Sequence, residues 1–246
     1  MTLTLIVSLA MIGFLIGISK TAISGLGMMS AALLATILPA KESTGIMLIL
    51  LITGDFFAIG LYKKHVEWKF LQKLIVPVIA GVLCGAYFLS HSTDTSLKKT
   101  IGWIVIALVI FYPVTQRIQS REFDIAKRFP QSLRIGLGSM AGFMSMVANS
   151  GGPPMSIYLL LRRNSVMNFL GNNAWFFFII NVFKVPITLG LGLLNFNSLY
   201  YLIPSIPMVA FGALIGRRIA AKMNVALFQK FILISSGLAG LNLVIR

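Results

Sequence analysis

The chain has 246 residues, 57% of them hydrophobic and 11% charged, so most of its surface cannot be meant for water and the protein belongs in a bilayer. A formal charge of +15, from 21 Lys and Arg against 6 Asp and Glu, would suggest nucleic acid in a soluble protein. Here the basic residues gather between apolar runs, as they do in loops facing the cytoplasm and anionic headgroups, so nucleic acid is set aside as a partner.

The first apolar region, 3–39, lacks a positive leading segment and a cleavage site and is read as retained in the membrane. Near its middle the stretch "GISKTAISGLG" (17–27) interrupts it with Lys20, Thr21, Ser24, Gly25 and Gly27. Three predicted spans follow, at 44–62, 70–90 and 97–115, each long enough to cross a hydrocarbon core of about 30 Å. The first of them carries one acid, Asp55. The second contains Gly81 and Gly85 at the four-residue spacing that lets helices approach closely, with the lone cysteine, Cys84, between them; a single cysteine excludes an intrachain disulfide. A segment rich in both signs of charge, 116–131, is the expected linker between two halves.

The second half repeats the plan. Its broken region, 132–161, is interrupted by "NSGGPP" (149–154), and its predicted spans are 168–193, 198–216 and 224–245. Gly13-Phe14 matches Gly142-Phe143 at an offset of 129, which also sets Lys20 against Asn149 and Thr21 against Ser150. An offset of 131 relates Gly81 and Gly85 to Gly212 and Gly216, and Lys99 to Lys230. Ordered matches at near-constant spacing indicate a duplication, the usual origin of transporter folds.

Charge decides how the broken regions run. If each enters the membrane and returns, the segments 63–73, 116–134, 162–163 and 217–222, with fourteen of the 21 basic residues, share one compartment. A single crossing would divide them, against the positive-inside tendency. Returning hairpins put the halves, 1–115 and 132–246, in opposite orientation, with both termini outside. The expected fold is therefore an all-α integral membrane protein: an inverted repeat with two broken, re-entrant hairpins and about eight or more helical segments.

Non-helical backbone at membrane depth survives only where protein or a wet cavity covers it, which makes the two breaks candidate functional sites. The returning helix of each half starts at its tip, so its free N–H groups and positive dipole end point inward. Opposed halves bring two such ends together, a setting for an anion with donors from Thr21, Ser24, Asn149 and Ser150 and the turns of Gly25, Gly27, Gly151 and Gly152. Lys20 would add a full charge, or would snorkel to the cytoplasmic face. The hydroxyls, equally, could bond back to the preceding helical turn. Asp55 and Lys184, both inside predicted spans, form a buried ion pair or Asp55 carries a coupling proton. Asn172 and Asn173 complete a cavity or cap a helix. No metal-ligand spacing, phosphate loop or carboxylate pair is present, so no cofactor and no enzymatic chemistry are expected.

A first span running into "GISKTAISGLG", an apolar stretch ending at Pro39, the segment "HVEWKFL" before the Gly-x-x-x-Gly span, and a second copy opening with "GFMSMVANSGGPP" resemble the sulfite exporter TauE/SafE family of membrane permeases over nearly the whole chain. Met28 and Met29 stand where the family's first tip commonly has smaller residues. The resemblance implies an inner-membrane carrier, working as an exporter, of sulfite, sulfoacetate or a related sulfonate, with the Gly-rich tips at 24–27 and 150–154. A non-transporting membrane subunit, an integral membrane enzyme and an anion channel are the alternatives. Small anions and lipids are the expected partners, and oligomeric state is not readable.

Overall fold

In the computed structural model the described residues are 3–21, 26–120, 130–161, 166–194 and 202–220, with scattered positions between 234 and 245. Ser24 and Gly25, the turn at 195–198, the centre of the linker and most of the predicted span 224–245 lie outside them. Every described element is helical: α1 (Leu3–Thr21), α2 (Leu26–Ile37), α3 (Ala40–Tyr62), α4 (Trp68–Ser90), α5 (Asp94–Ser120), α6 (Pro130–Ala148), α7 (Gly152–Leu161), α8 (Val166–Gly190) and α9 (Ser205–Ala220), with one 3-10 turn at Lys63–His65. The protein is an all-α membrane protein. Among the described residues three helices are long and apolar enough to cross a membrane by themselves, Ala40–His65, Trp68–Ser90 and Asn168–Gly190.

Local chemistry explains the breaks. Proline disfavours helical geometry in the residue before it, so α2 stops short of Pro39, whose own φ of −51° and ψ of 138° start α3. Asn149 follows α6 in the left-handed region at φ 50°, a position that asparagine tolerates better than most side chains. Two prolines in the first turn of α7 then suit a helix start, where a missing N–H is no loss.

The helices pair in a regular way. α1 lies along α9, α4 lies along α6, and α3 lies against α8. Glycine sets the first two pairs: a Cβ on Gly81 would meet the backbone of Ser139, and one on Gly17 would meet the backbone of Val209 and Ala213. Gly85, Gly212 and Gly216 likewise sit where backbone or a neighbouring side chain leaves no room, so the two Gly-x-x-x-Gly stretches are close-packing seams. One apolar cluster joins α1, α2 and α3 to Val209 of α9, and a larger one fills the space among α4 to α8.

Contacts along α3 and α8 show that they run antiparallel and give a measure of depth. Gly45 approaches Leu193, Asp55 meets Asn181, and His65 approaches Gly171. At a rise of about 1.5 Å per residue, Asp55 is roughly 15 Å from either end of this pair, midway through a hydrocarbon core of about 30 Å.

Candidate functional site

Charge inside the bundle collects at that mid-depth. Lys20, in the last turn of α1, reaches Asp55 on α3 with Nζ 2.6 Å from Oδ1; the carboxylate side chain is 0% exposed and the lysine 11%. Asn181 on α8 donates from Nδ2 to the other carboxylate oxygen at 2.7 Å. Its own Oδ1 accepts from Lys184 Nζ at 3.3 Å. Asn181 therefore couples a carboxylate to a second ammonium, and those two neighbours dictate which way its amide points.

Lys184 is buried and is held mainly by the second tip. Its Nζ donates to the carbonyl of Ser145 at 2.7 Å, to Ser145 Oγ at 3.1 Å and to Asn149 Oδ1 at 2.9 Å. Ser145 is in the last turn of α6, where carbonyls lack helical partners and the dipole is negative, so a cation belongs there. Asn149 Nδ2 in turn donates to the carbonyl of Thr44 at 3.1 Å, tying the tip to the start of α3. The ionic partner of Asp55 is thus Lys20, and Lys184 reaches it only through Asn181; the direct Asp55–Lys184 pair expected from sequence gives way because the lysine of the first tip is nearer.

The two contacts are counterparts. Lys20 and Asn149 are 129 residues apart, and so are Asp55 and Lys184. In one half the tip supplies the cation and the long helix the anion. In the other the tip supplies an amide and the long helix the cation.

Beside this cluster lies a cavity of about 50 Å³, room for a small oxyanion or a few waters. The first tip contributes Ser19, Lys20 and Gly27; the second contributes Ser145, Asn149, Ser150, Gly152 and Pro153; α3 adds Leu51, and α8 adds Asn173, Phe177 and Asn181. The first turns of α2 and α7 both face it. Lys20 Nζ sits 4.8 Å from the centroid of the Phe177 ring, so one aromatic face screens the ammonium from the apolar side. Asn173 Oδ1 is buried and has no partner among the described residues, a polar group whose hydrogen bond is left for a ligand or water.

Of the residues expected to bind, Lys20, Gly27, Asn149, Ser150, Gly152 and Asn173 line this cavity. Thr21 does not. Its hydroxyl donates to the carbonyls of Gly17 at 3.0 Å and Ala213 at 3.1 Å, joining α1 to α9. Gly151 packs against Ala141 and Ser145. Asn172 is fully buried, and its Oδ1 accepts from the backbone N–H of Glu67 at 2.7 Å, which fixes the loop before α4. Ser150 Oγ donates its one proton to the carbonyl of Ala148 at 3.0 Å.

Sequence reasoning does not single out Ser19, Ser145, Phe177 or Asn181 as site residues. A signal for one of them exists: Asn181 precedes Lys184 by three residues, a spacing that shares a helix face. Among the described residues no group of three or more His, Cys, Asp or Glu is arranged to hold a metal ion.

The family described as Sulfite exporter TauE/SafE matches residues 9–243, nearly the whole chain. No curated protein and no solved structure matches.

Proposed function

The chain belongs to the sulfite exporter TauE/SafE family, a family of membrane transporters of sulfite or related anions, and we propose that it is a secondary carrier which exports a small sulfur oxyanion bound in the mid-depth cavity. The observation that carries this is the make-up of the cluster beside the cavity: two lysines, Lys20 paired with Asp55 and Lys184 bonded to Asn149 and Asn181, stand against the single acid Asp55. One formal positive charge is left over in a low-dielectric setting, and the first turns of α2 and α7 add their dipoles. An anion in the cavity offsets that excess, which a neutral or cationic solute would not.

The paired helices α1 with α9 and α4 with α6, related by the repeat offset, support two inverted halves that rock about the site. In that arrangement the basic loops face the cytoplasm and both termini face outward. A membrane potential negative inside drives anion efflux by about 2.3 kcal/mol per charge per 100 mV, so uniport suffices for export.

The test is flux in proteoliposomes with Ser150→Leu, which fills the cavity from its rim. Sulfite uptake driven by an inside-positive potential is expected to fall at least tenfold while the melting temperature stays near that of the parent. Unchanged flux in the folded variant would sink the site. Saturable counterflow is expected as well, and linear, non-saturating flux would indicate a pore.

A further inference from the structure

The sequence repeat puts the division of the chain in the segment 116–131, but the packing divides it elsewhere. α9, from the second half, is sealed onto α1 of the first: a Cβ on Gly212 would meet the backbone of Phe14, one on Gly17 that of Val209, and Ser205 Oγ donates to the carbonyl of Leu9 at 3.0 Å. α4, from the first half, is sealed onto α6 of the second in the same way, with Gly81 against Ser139 and Gly142 against Val78. The apolar clusters follow these seams. One joins α1, α2 and α3 to Val209; the other draws on α4 to α8, and its buried members from α2 and α3 are three alanines, Ala32, Ala35 and Ala40. Two bodies result, each made of the broken hairpin and long helix of one half and the glycine helix of the other.

The seam between the bodies is of another kind. Along α3 and α8 it holds the bond from Asn181 Nδ2 to Asp55 and the cavity, whose walls include Leu51 of α3 and Asn173 and Phe177 of α8. Backbone packed on glycine has no looser arrangement of similar energy, because parting it forfeits close contact along the whole seam. A polar seam with a cavity does, since its groups exchange one another for water or a bound anion as it opens. The chain, moreover, passes between the bodies at turns. It leaves α3 through the 3-10 turn Lys63–His65 and leaves α8 past Gly192, whose φ is 66°. Turns of this kind absorb changes of φ and ψ. The two glycine contacts of this seam, Gly171 on His65 and Gly45 on Leu193, lie at the same turns and so at the pivots. α5 touches α2 and α3 on one side and α6 and α7 on the other, and belongs to neither body.

We propose that these bodies, α1–α3 with α9 and α4 with α6–α8, are the units that move against each other in transport, parting along α3 and α8 about those turns. The proposal rests on the carrier reading and gives its rocking halves their membership: each sequence half lends one helix to the other. Motion of the sequence halves themselves would shear both glycine seams at every cycle.

Spin labels on lipid-facing positions separate the two schemes, in a Cys84→Ser background reconstituted in bilayers. Val7 on α1, Leu214 on α9 and Leu83, Tyr87 and Ile135 on α4 and α6 are all at least half exposed. Val7 and Leu214 belong to different sequence halves but one body, as do Tyr87 and Ile135. Val7 and Leu83 belong to one sequence half but different bodies. The Val7/Leu83 distance distribution is expected to be broad or two-peaked and to shift by more than its width on adding sulfite, while the other two stay narrow and fixed. A second arm bridges cysteines placed at Phe14/Phe211 or Phe88/Phe143, whose ring centroids are 6.0 and 6.1 Å apart, with a short bis-thiol reagent. Each bridged protein is expected to keep at least half the sulfite flux of its unbridged form. Flux lost on bridging, a Val7/Leu214 distance that shifts, or three distances that all stay fixed would overturn the proposal. Absence of flux before bridging would instead count against the carrier reading, and the distances would still decide which helices move together.

Discussion

At the scale of single residues, the bundle centre is a short chain of alternating charge and amide: Lys20, Asp55, Asn181, Lys184, Asn149. Removing one member of a buried ion pair leaves its partner charged and unsolvated, at a cost of about 3–5 kcal/mol. Asp55→Asn is therefore expected to lower the melting temperature sharply, because two ammonium groups then lack a counter-ion. The double variant Lys20→Gln/Asp55→Asn should recover most of that stability, and the interaction energy of the cycle reports the pair directly. Sulfite flux should stay lost in the double variant, which lacks the Lys20 that lines the cavity. Recovery of flux in the double variant would assign Lys20 to architecture alone. The three ionisable residues were legible in the sequence because charges in apolar runs stand out. Their partners were not, because Ser145 and Asn181 are ordinary polar residues whose importance comes from the packing that brings Lys184 against the closing turn of α6 and Asp55 against α8.

At the scale of elements, each tip uses both poles of a helical break. The closing turn of α6 gives the carbonyl of Ser145 to Lys184 while the opening turn of α7 faces the cavity. The closing turn of α1 carries Lys20, and the carbonyl of Thr21 accepts from Tyr62 Oη at 3.0 Å. Glycine then separates two kinds of position. Gly81 has no room for a Cβ, so Gly81→Ala forces α4 off α6, with about 1–3 kcal/mol of overpacking. A Cβ on Gly136 of α6 would meet nothing within 4 Å among the described residues, so Gly136→Ala should raise stability by about 0.5–1 kcal/mol through better helix propensity. Melting both variants in detergent checks the sign at each site. Sequence spacing marked the seam at Gly81 and Gly85, yet it also offered Thr21 as a ligand donor. The packing of α1 on α9 redirected that hydroxyl to Gly17 and Ala213.

At the scale of the whole molecule, the inverted-repeat proposal makes a topological demand: both chain ends on the outside and the 63–73 segment within. After Cys84→Ser, single cysteines at Thr2 and at Arg246 should react with an impermeant maleimide in intact cells, and one at Lys64 should not. Labelling that placed the termini on opposite sides would break the symmetry on which the rocking mechanism depends. Composition and periodicity alone determined that the chain is helical and membrane-embedded, because hydrocarbon leaves a backbone few other ways to satisfy itself. The order of the breaks and the positions of Lys20, Asp55 and Lys184 were equally open to inspection, being properties of the linear string. Which cation meets Asp55, which hydroxyl faces the cavity and which merely joins two helices were decided only in three dimensions. Those choices depend on the rotation of each helix about its axis and on how closely glycine lets neighbours approach, and neither is written at any one position of the sequence.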